Sequence, residues 1–377
     1  LVLLVAAGLF VRSLHNLGRV DLGFQPDQVI GFSVAPKLNG YSAERTADFA
    51  RQLTEKLGAL PGVRSVAAAT IATMEGSTAS GSVTIEGQDP AAREDRSARQ
   101  NLVSPSYFAT LGIPLVAGRE FAVTDDIRAP KVAIVNEAFA RKYSPGASPL
   151  GKHLSFGPED SGPPDIEIVG VVRNSKAAQV DEEEVPFAYQ PYLQDSKIGE
   201  LTFYLRTHSD PKAMAGTIRA AVQGLDRELP IYDLAALQTR IDDSLVTERV
   251  IVMLSGAFGV LAAVLAALGI YGVLSFAVAA RRQEIGVRMA LGADPAAVRS
   301  LILKEVVRFL VIGGAIGLPC AYALGRAVES ILFGVKATDV GIFAVGTALM
   351  AVVALAAALP PAIRAARTDA LDALRSE

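Results

Sequence analysis

The stretch Gly146-Ala147-Ser148-Pro149-Leu150-Gly151-Lys152-His153 comes within one residue of G-x-x-x-x-G-K-[ST], the loop that cradles nucleotide phosphates. The mismatch matters, because His153 stands where a hydroxyl would hold Mg²⁺. Such a loop also runs from a strand into a helix N-terminus. Here Pro145 and Pro149 flank a turn leading into the strand-like 152–156, so the segment reads as a helix-to-strand turn. The three histidines, His15, His153 and His208, lack metal-ligand spacing. The run Asp181-Glu182-Glu183-Glu184 reads as a solvated loop, since consecutive carboxylates do not converge on one cation. Neither G-x-S-x-G nor H-E-x-x-H occurs, and no nucleophile has a base nearby in sequence. The single cysteine, Cys320, lies in an apolar run, so no disulfide forms within the chain. No catalytic, cofactor-binding or metal-binding residue is assigned.

The residues left to do work are 281–293, Arg281-Arg282-Gln283-Glu284-Ile285-Gly286-Val287-Arg288-Met289-Ala290-Leu291-Gly292-Ala293. A basic segment abutting the uncharged apolar run 250–280 marks the cytoplasmic end of a membrane span. Ile285 and Met289, and Val287 and Leu291, are spaced i, i+4, which predicts a short amphipathic helix. Gly292 is placed to end it. Asp294-Pro295 then supplies the N-cap and first position of another helix. A short helix beneath the membrane, between two spans, is placed to take a push from a cytoplasmic motor.

The elements that must position this segment follow from composition. The chain has 377 residues, 51% of them hydrophobic, and a mean hydropathy of +0.34. That is too apolar for an ordinary soluble protein and too polar for spans alone. Spans are expected at about 247–280, 306–324 and 340–359, the last closed by Pro360-Pro361. Residues 1–14, apolar over 1–11 and with no basic stretch ahead of them, read as the outer end of a truncated first span. The expectation is four spans, the first truncated, in a chain that is a fragment. Small residues allow close helix packing in lipid: Gly313 and Gly317 form a G-x-x-x-G, and Gly259, Ala263 and Ala267 form a stripe. Ala and Gly are also simply frequent in this chain.

Arg281, Arg282, Arg288, Arg299, Lys304 and Arg308 fall between the second and third spans, and Arg364, Arg367 and Arg375 in the tail. The loop between the last two spans has only Arg326 and Lys336. The positive-inside rule puts the first two segments in the cytoplasm and 21–249 outside. Glu305 and Arg308 sit at the cytoplasmic boundary of a span, which argues against a proton path through the membrane. Residues 21–249 contain 23 Lys and Arg against 31 Asp and Glu, a net charge of −8, which argues against nucleic-acid binding.

The exterior region reads as α+β. Strands are expected at Val29–Val34 and Val63–Ala69, around a helix capped by Ser42 with Phe49, Leu53, Leu57 and Leu60 on one stripe. The pattern recurs as a strand at Leu201–Thr207, a helix opened by Asp210-Pro211, and a strand starting near 229–232. Two β-α-β units, 27–104 and 200–240, resemble a split ferredoxin-like lobe. Between them, 105–195 holds strand candidates at 114–117, 131–136, 150–156 and 166–172, punctuated by Gly and Pro, and reads as an inserted β-rich subdomain.

At this point a family resemblance is carried by the residues. The layout, and "RRQEIGVRMALGA" at 281–293, resemble the MacB/FtsX-like permeases of type VII ABC transporters. So do "PPAIRAARTDALDALRSE" at 360–377 and "GLFVRSLHNLGRVDLGFQPDQVI" at 8–30. "SPSYFATLGIPLVAGREF" at 104–121 and "VAIVNEAFARKYSPGASPLGKHL" at 132–154 resemble the MacB-like periplasmic core. More narrowly, the chain looks like the C-terminal half of a duplicated permease of the kind common in Acidobacteria. The resemblance implies a MacB-like periplasmic core at 21–246 and an FtsX-like permease domain at 247–377. It implies that ATP is hydrolysed by a separate ABC ATPase subunit, with 281–293 as the coupling helix. Arg281, Arg282, Glu284, Ile285, Gly286, Arg288 and Gly292 would form that contact. Anchoring to phospholipid is the other reading of the arginines. Implied partners are the ATPase, another permease half or homologous permease, a periplasmic adaptor or substrate, and membrane lipid. Two functions use this layout. One is a transporter subunit driving export or extraction of a compound, peptide or lipoprotein by mechanotransmission. The other is a regulatory or scaffold protein that relays conformational change to an exterior partner.

Overall fold

A computed structural model describes residues 1–87, 96–157, 163–195, 198–281, 284, 295–329, 332–336 and 338–366. The chain divides into two compact units, one of residues 20–245 and one of 1–19 with 246–377.

The first unit starts with β1 (Val29–Val34), α2 (Ala43–Gly58) and β2 (Val63–Ala69), following α1 (Val2–Leu17) of the second unit. Ser42 caps α2 as expected, its Oγ accepting from the Arg45 N–H at 3.2 Å. β10 (Leu201–Thr207), α5 (Ala215–Gln223) and β11 (Tyr232–Ala236) complete a group whose strands lie in the order β11-β1-β10-β2, all pairs antiparallel. Ile30, Phe32 and Val34 of β1 share a core with Phe49, Leu53 and Leu57 of α2 and with Ile218 and Val222 of α5. The stacked rings of Phe32 and Phe203, 5.4 Å apart, join β1 to β10. β10 is buried along its whole length. Its polar face is covered too. Thr202 meets Ser33 at 2.7 Å, and the Tyr204 hydroxyl accepts from the Thr73 N–H at 2.6 Å.

The remaining strands are β3 (Ala79–Ile85), β4 (Ser97–Val103), β5 (Leu115–Gly118), β6 (Val132–Asn136), β7 (His153–Phe156), β8 (Ile166–Val172) and β9 (Phe187–Pro191). Six of them continue the sheet as β4-β3-β7-β8-β6-β9, β5 pairs with β8, and a parallel pairing of β9 with β4 closes the six into a ring. Closure removes strand edges. Val83, Ile85, Ala98, Val135, Leu154 and Ile168 fill the inside, with Phe139 and Tyr143 of α4 (Glu137–Tyr143). β3 and β4, grouped by sequence with 27–104, therefore contribute to the β-rich core. α3 (Tyr107–Leu111) and α6 (Leu237–Ser244) complete this unit.

The second unit is helical. α7 (Val246–Ala280), α8 (Pro295–Ala327) and α9 (Val340–Ala366) give three segments long and apolar enough to cross a membrane, and α1 is a shorter apolar helix beside them. α9 runs through Pro360 and Pro361, so the prolines do not close it. Proline is tolerated within membrane helices where neighbours re-satisfy the freed carbonyls.

Candidate functional site

The sequence points to the end of α7, and the structure describes how that end is held. Arg281 extends the last turn, its N–H donating to the Ala277 carbonyl at 3.2 Å. Its guanidinium pairs with Glu305 of α8, Nη1 to Oε1, at 3.2 Å. Glu284 is helical and exposed. Arg282, Ile285, Gly286, Arg288 and Gly292 lie outside the described residues. A second polar tie lies further back along the same helix: the Arg364 Nη1 of α9 donates to the Tyr271 hydroxyl of α7 at 3.1 Å. The three helices converge on Leu274, Val306, Ala354, Ala358, Ala362 and Ala365, all buried. Alanines at every third or fourth position of α9 let its backbone approach its neighbours closely.

The packing residues are placed unevenly. Gly259 is buried, and a Cβ there would lie 3.3 Å from Leu4 of α1. A Cβ on Gly317 would lie 3.1 Å from Leu1, and one on Gly346, which the sequence reading missed, 3.1 Å from Val5. Thus α1 rests on one glycine from each of the three long helices. Ala263 is half-buried. Gly313 has nothing within 4 Å of such a Cβ, so only one end of the G-x-x-x-G makes a close approach among the described residues. Gly313 instead lines a cavity of about 380 Å³ with Gly269, Val273, Phe309, Gly314 and Met350. Its one hydroxyl, on Thr347, donates to the Phe343 carbonyl of its own helix at 2.7 Å.

In the first unit, 146–151 forms the expected turn between α4 and β7, and His153 Nδ1 meets Glu86 Oε2 at 2.9 Å. No group of three or more His, Cys, Asp or Glu converges on a metal-sized site among the described residues. The acidic run is only partly a solvated loop. Glu182 turns inward to 8% exposure, pairs with Arg99 and accepts from the Ala177 N–H. A groove of about 550 Å³ is lined by Met74, Glu75, Gln179, Asp233, Arg240 and Asp243. At its base Arg240 Nη1 meets Glu75 Oε1 at 2.5 Å, and Nη2 donates to the Asp233 carbonyl at 2.7 Å. Burial raises the Glu75 carboxyl above its ordinary 4.5, against the opposing pull of Arg240. Sequence reasoning missed this pair. The available signal was Arg240 beside Leu237 and Ile241 on the buried face of α6.

Comparison with known proteins adds to this geometry. Residues 2–221 match the MacB-like periplasmic core domain, and residues 256–370 match the FtsX-like permease C-terminal domain. The chain is 27% identical over 303 residues to the macrolide export ATP-binding/permease protein MacB of Marinobacter nauticus, covering 75% of this chain and 44% of that protein. It is 24% identical over 282 residues to the pyoverdine export ATP-binding/permease protein PvdT of Pseudomonas putida, covering 70% and 41%. The chain thus spans less than half the length of these curated relatives. Among solved structures it is similar to the periplasmic region of MacB from Actinobacillus actinomycetemcomitans, at 16% identity and a TM-score of 0.39, over 58% of this chain and 92% of that one.

Proposed function

This chain belongs to the MacB/FtsX-like family of membrane ABC permeases, and we propose that it couples ATP hydrolysis on a separate ATPase chain to movement of its own β-rich unit. The coupling is mechanotransmission, and it drives export or extraction of a substrate. The observation that carries this reading is the Arg281–Glu305 pair, which ties the start of the 281–293 segment to α8 at the seam where α7, α8 and α9 meet. A push on that segment then reaches three helices together, including the 35-residue α7. The relatives are named as ATP-binding/permease proteins, which supports a link to ATP binding, while the placing of the ATPase on a separate chain is part of the proposal. ATP belongs to that partner, and this chain supplies no catalytic group.

On this reading the protein sits in the bacterial inner membrane with 20–245 in the periplasm, supported by the basic residues at the opposite ends of the helices. α1 is the outer part of a fourth span, supported by its seat on Gly259, Gly317 and Gly346. The order β11-β1-β10-β2, with α2 and α5 sharing its core, supports a split ferredoxin-like lobe. Another permease half or homologous permease, and a periplasmic adaptor or substrate, complete the assembly.

The test is co-reconstitution with candidate ABC ATPase subunits in nanodiscs. ATP hydrolysis that rises when the chain is present, and rises again with a transported compound, supports the reading. An exterior unit that captures a cell-wall enzyme, with hydrolysis unaffected by the chain, supports relay without transport and overturns it.

A further inference from the structure

Two arginines are buried among the described residues, Arg206 at 8% exposure and Arg240 at 6%, and no lysine is. Their places in the chain are not arbitrary. The unit 20–245 is entered at its N-terminal end through 20–28 and left through β11 and α6. Arg206, on the central strand β10, reaches back to the entering segment. Its Nη2 donates to the Gln25 carbonyl at 2.8 Å, its Nη1 to the Asp27 carbonyl at 3.0 Å, and its Nε to the Thr110 carbonyl at 2.8 Å. The same segment is held upstream by Arg173 on Asp21 at 2.8 Å and by the Lys176 N–H on the Leu22 carbonyl at 2.9 Å. Gly23, at φ 72°, passes so close that a Cβ there would lie 1.9 Å from the Asn174 carbonyl oxygen.

Arg240 holds the leaving segment. Its Nη2 donates to the Asp233 carbonyl on β11, and its Nη1 makes an ion-pair contact with Glu75 in the β2–β3 connection without hydrogen-bond geometry, so one hydrogen bond and one charge pair join α6 to them. Its guanidinium lies against β1, where a Cβ on Gly31 would come within 3.3 Å of Nη2. Asp233 adopts a left-handed backbone, φ 52°. α6 ends at Ser244 and α7 begins at Val246. A guanidinium offers five donors in a fixed fork and can bind several acceptors at once. Once desolvated it is held only by those partners, so pulling the segment away strands a buried charge.

We propose that Arg206 and Arg240 are positioning residues that clamp the entering and leaving segments to the sheet, so that displacement arriving from α1 or α7 is delivered to the sheet and not absorbed in a hinge. The delivery rests on the coupling reading above, whereas the clamp is a property of residues 20–245 alone.

Hydrogen exchange of the full chain in nanodiscs tests the clamp. Arg206→Met raises amide exchange over 21–29 by about tenfold. Arg240→Met does the same over 233–245, and each leaves the other crossing and strands β6 and β8 at wild-type rates. Unchanged exchange, or a rise across the whole unit at once, overturns the clamp. If the Met variants do not fold, Arg206→Lys and Arg240→Lys keep the charge and lose the fork, with a rise of about threefold at the same segments. With an ATPase partner, the double Lys variant lowers the ratio of stimulated to basal hydrolysis by about fivefold at unchanged basal rate and unchanged melting temperature. A retained ratio despite loosened crossings overturns the delivery. A wild-type chain that stimulates no ATPase contradicts the coupling reading instead, and the exchange result still decides the clamp.

Discussion

Asp125 shows how a single carboxylate holds a loop of the β-rich unit. Burial pushes its carboxyl up, but Arg119, with its fork at 2.7 and 2.9 Å, and the Ala122 N–H at 2.8 Å outweigh that, so it titrates below its ordinary 3.8. A depressed folded value means the carboxylate stabilises the fold above the unfolded value, and the contribution is lost as pH falls through the folded one. Asp125→Asn is expected to cost about 1–3 kcal/mol at neutral pH. The gap between variant and wild type closes once the solution is acidic enough to protonate Asp125. Tyrosine emission during thermal unfolding checks this, because seven of the nine tyrosines lie in 20–245 and the chain has no tryptophan. Glu182 carries a lesson at the same scale. Its neighbours Glu183 and Glu184 are exposed as an acidic run should be, and only the tertiary approach of Arg99 and the Ala177 N–H turns it inward.

Among the elements, the long helices were legible in the sequence because an uncharged run of about 20 residues has few other uses. α7 was expected at 247–280 and spans Val246–Ala280. β3 and β4 were not legible. Their segments, ASGSVTI and SARQNLV, are too polar to show a period, and they become strands by closing a ring with β7 and β9. The glycine seats of α1 were half legible. Gly317 belongs to a G-x-x-x-G, but Gly346 is flanked four residues away by Ile342 and Met350 and offers no such pattern. Gly346→Leu should unseat α1 and cost about 1–3 kcal/mol by overpacking. Gly313→Ala, facing open space, should stay within about 0.5 kcal/mol of wild type. Denaturant titration in mixed micelles measures both. The Arg281–Glu305 tie needs a different readout, since an ion pair this exposed contributes at most about 1 kcal/mol. Arg281→Glu and Glu305→Arg should each lower partner-stimulated ATP hydrolysis with little change in melting, and the charge-swapped double variant should restore it. A swap no better than the single changes would show that the pair does not carry the push.

For the whole molecule, the parts divide between a β-rich unit and a helical one. The near P-loop is a turn between α4 and β7, and the cavity in the helical unit is lined mainly by apolar residues. What remains is a membrane permease with a basic segment at the end of a long helix and two arginine-clamped crossings into a β-rich unit. The family could be read from motifs. The long-range polar ties could not, because each joins residues from distant parts of the chain, such as Arg240 with Glu75. The central claim is that 281–293 rests on an ATPase. Cysteines placed singly at Gln283 and Arg288 in a Cys320→Ser background, cross-linked in intact membranes, measure this directly. The account predicts an adduct with an ABC ATPase subunit whose yield changes with bound nucleotide. Normal membrane insertion with no ATPase adduct at either position would contradict it.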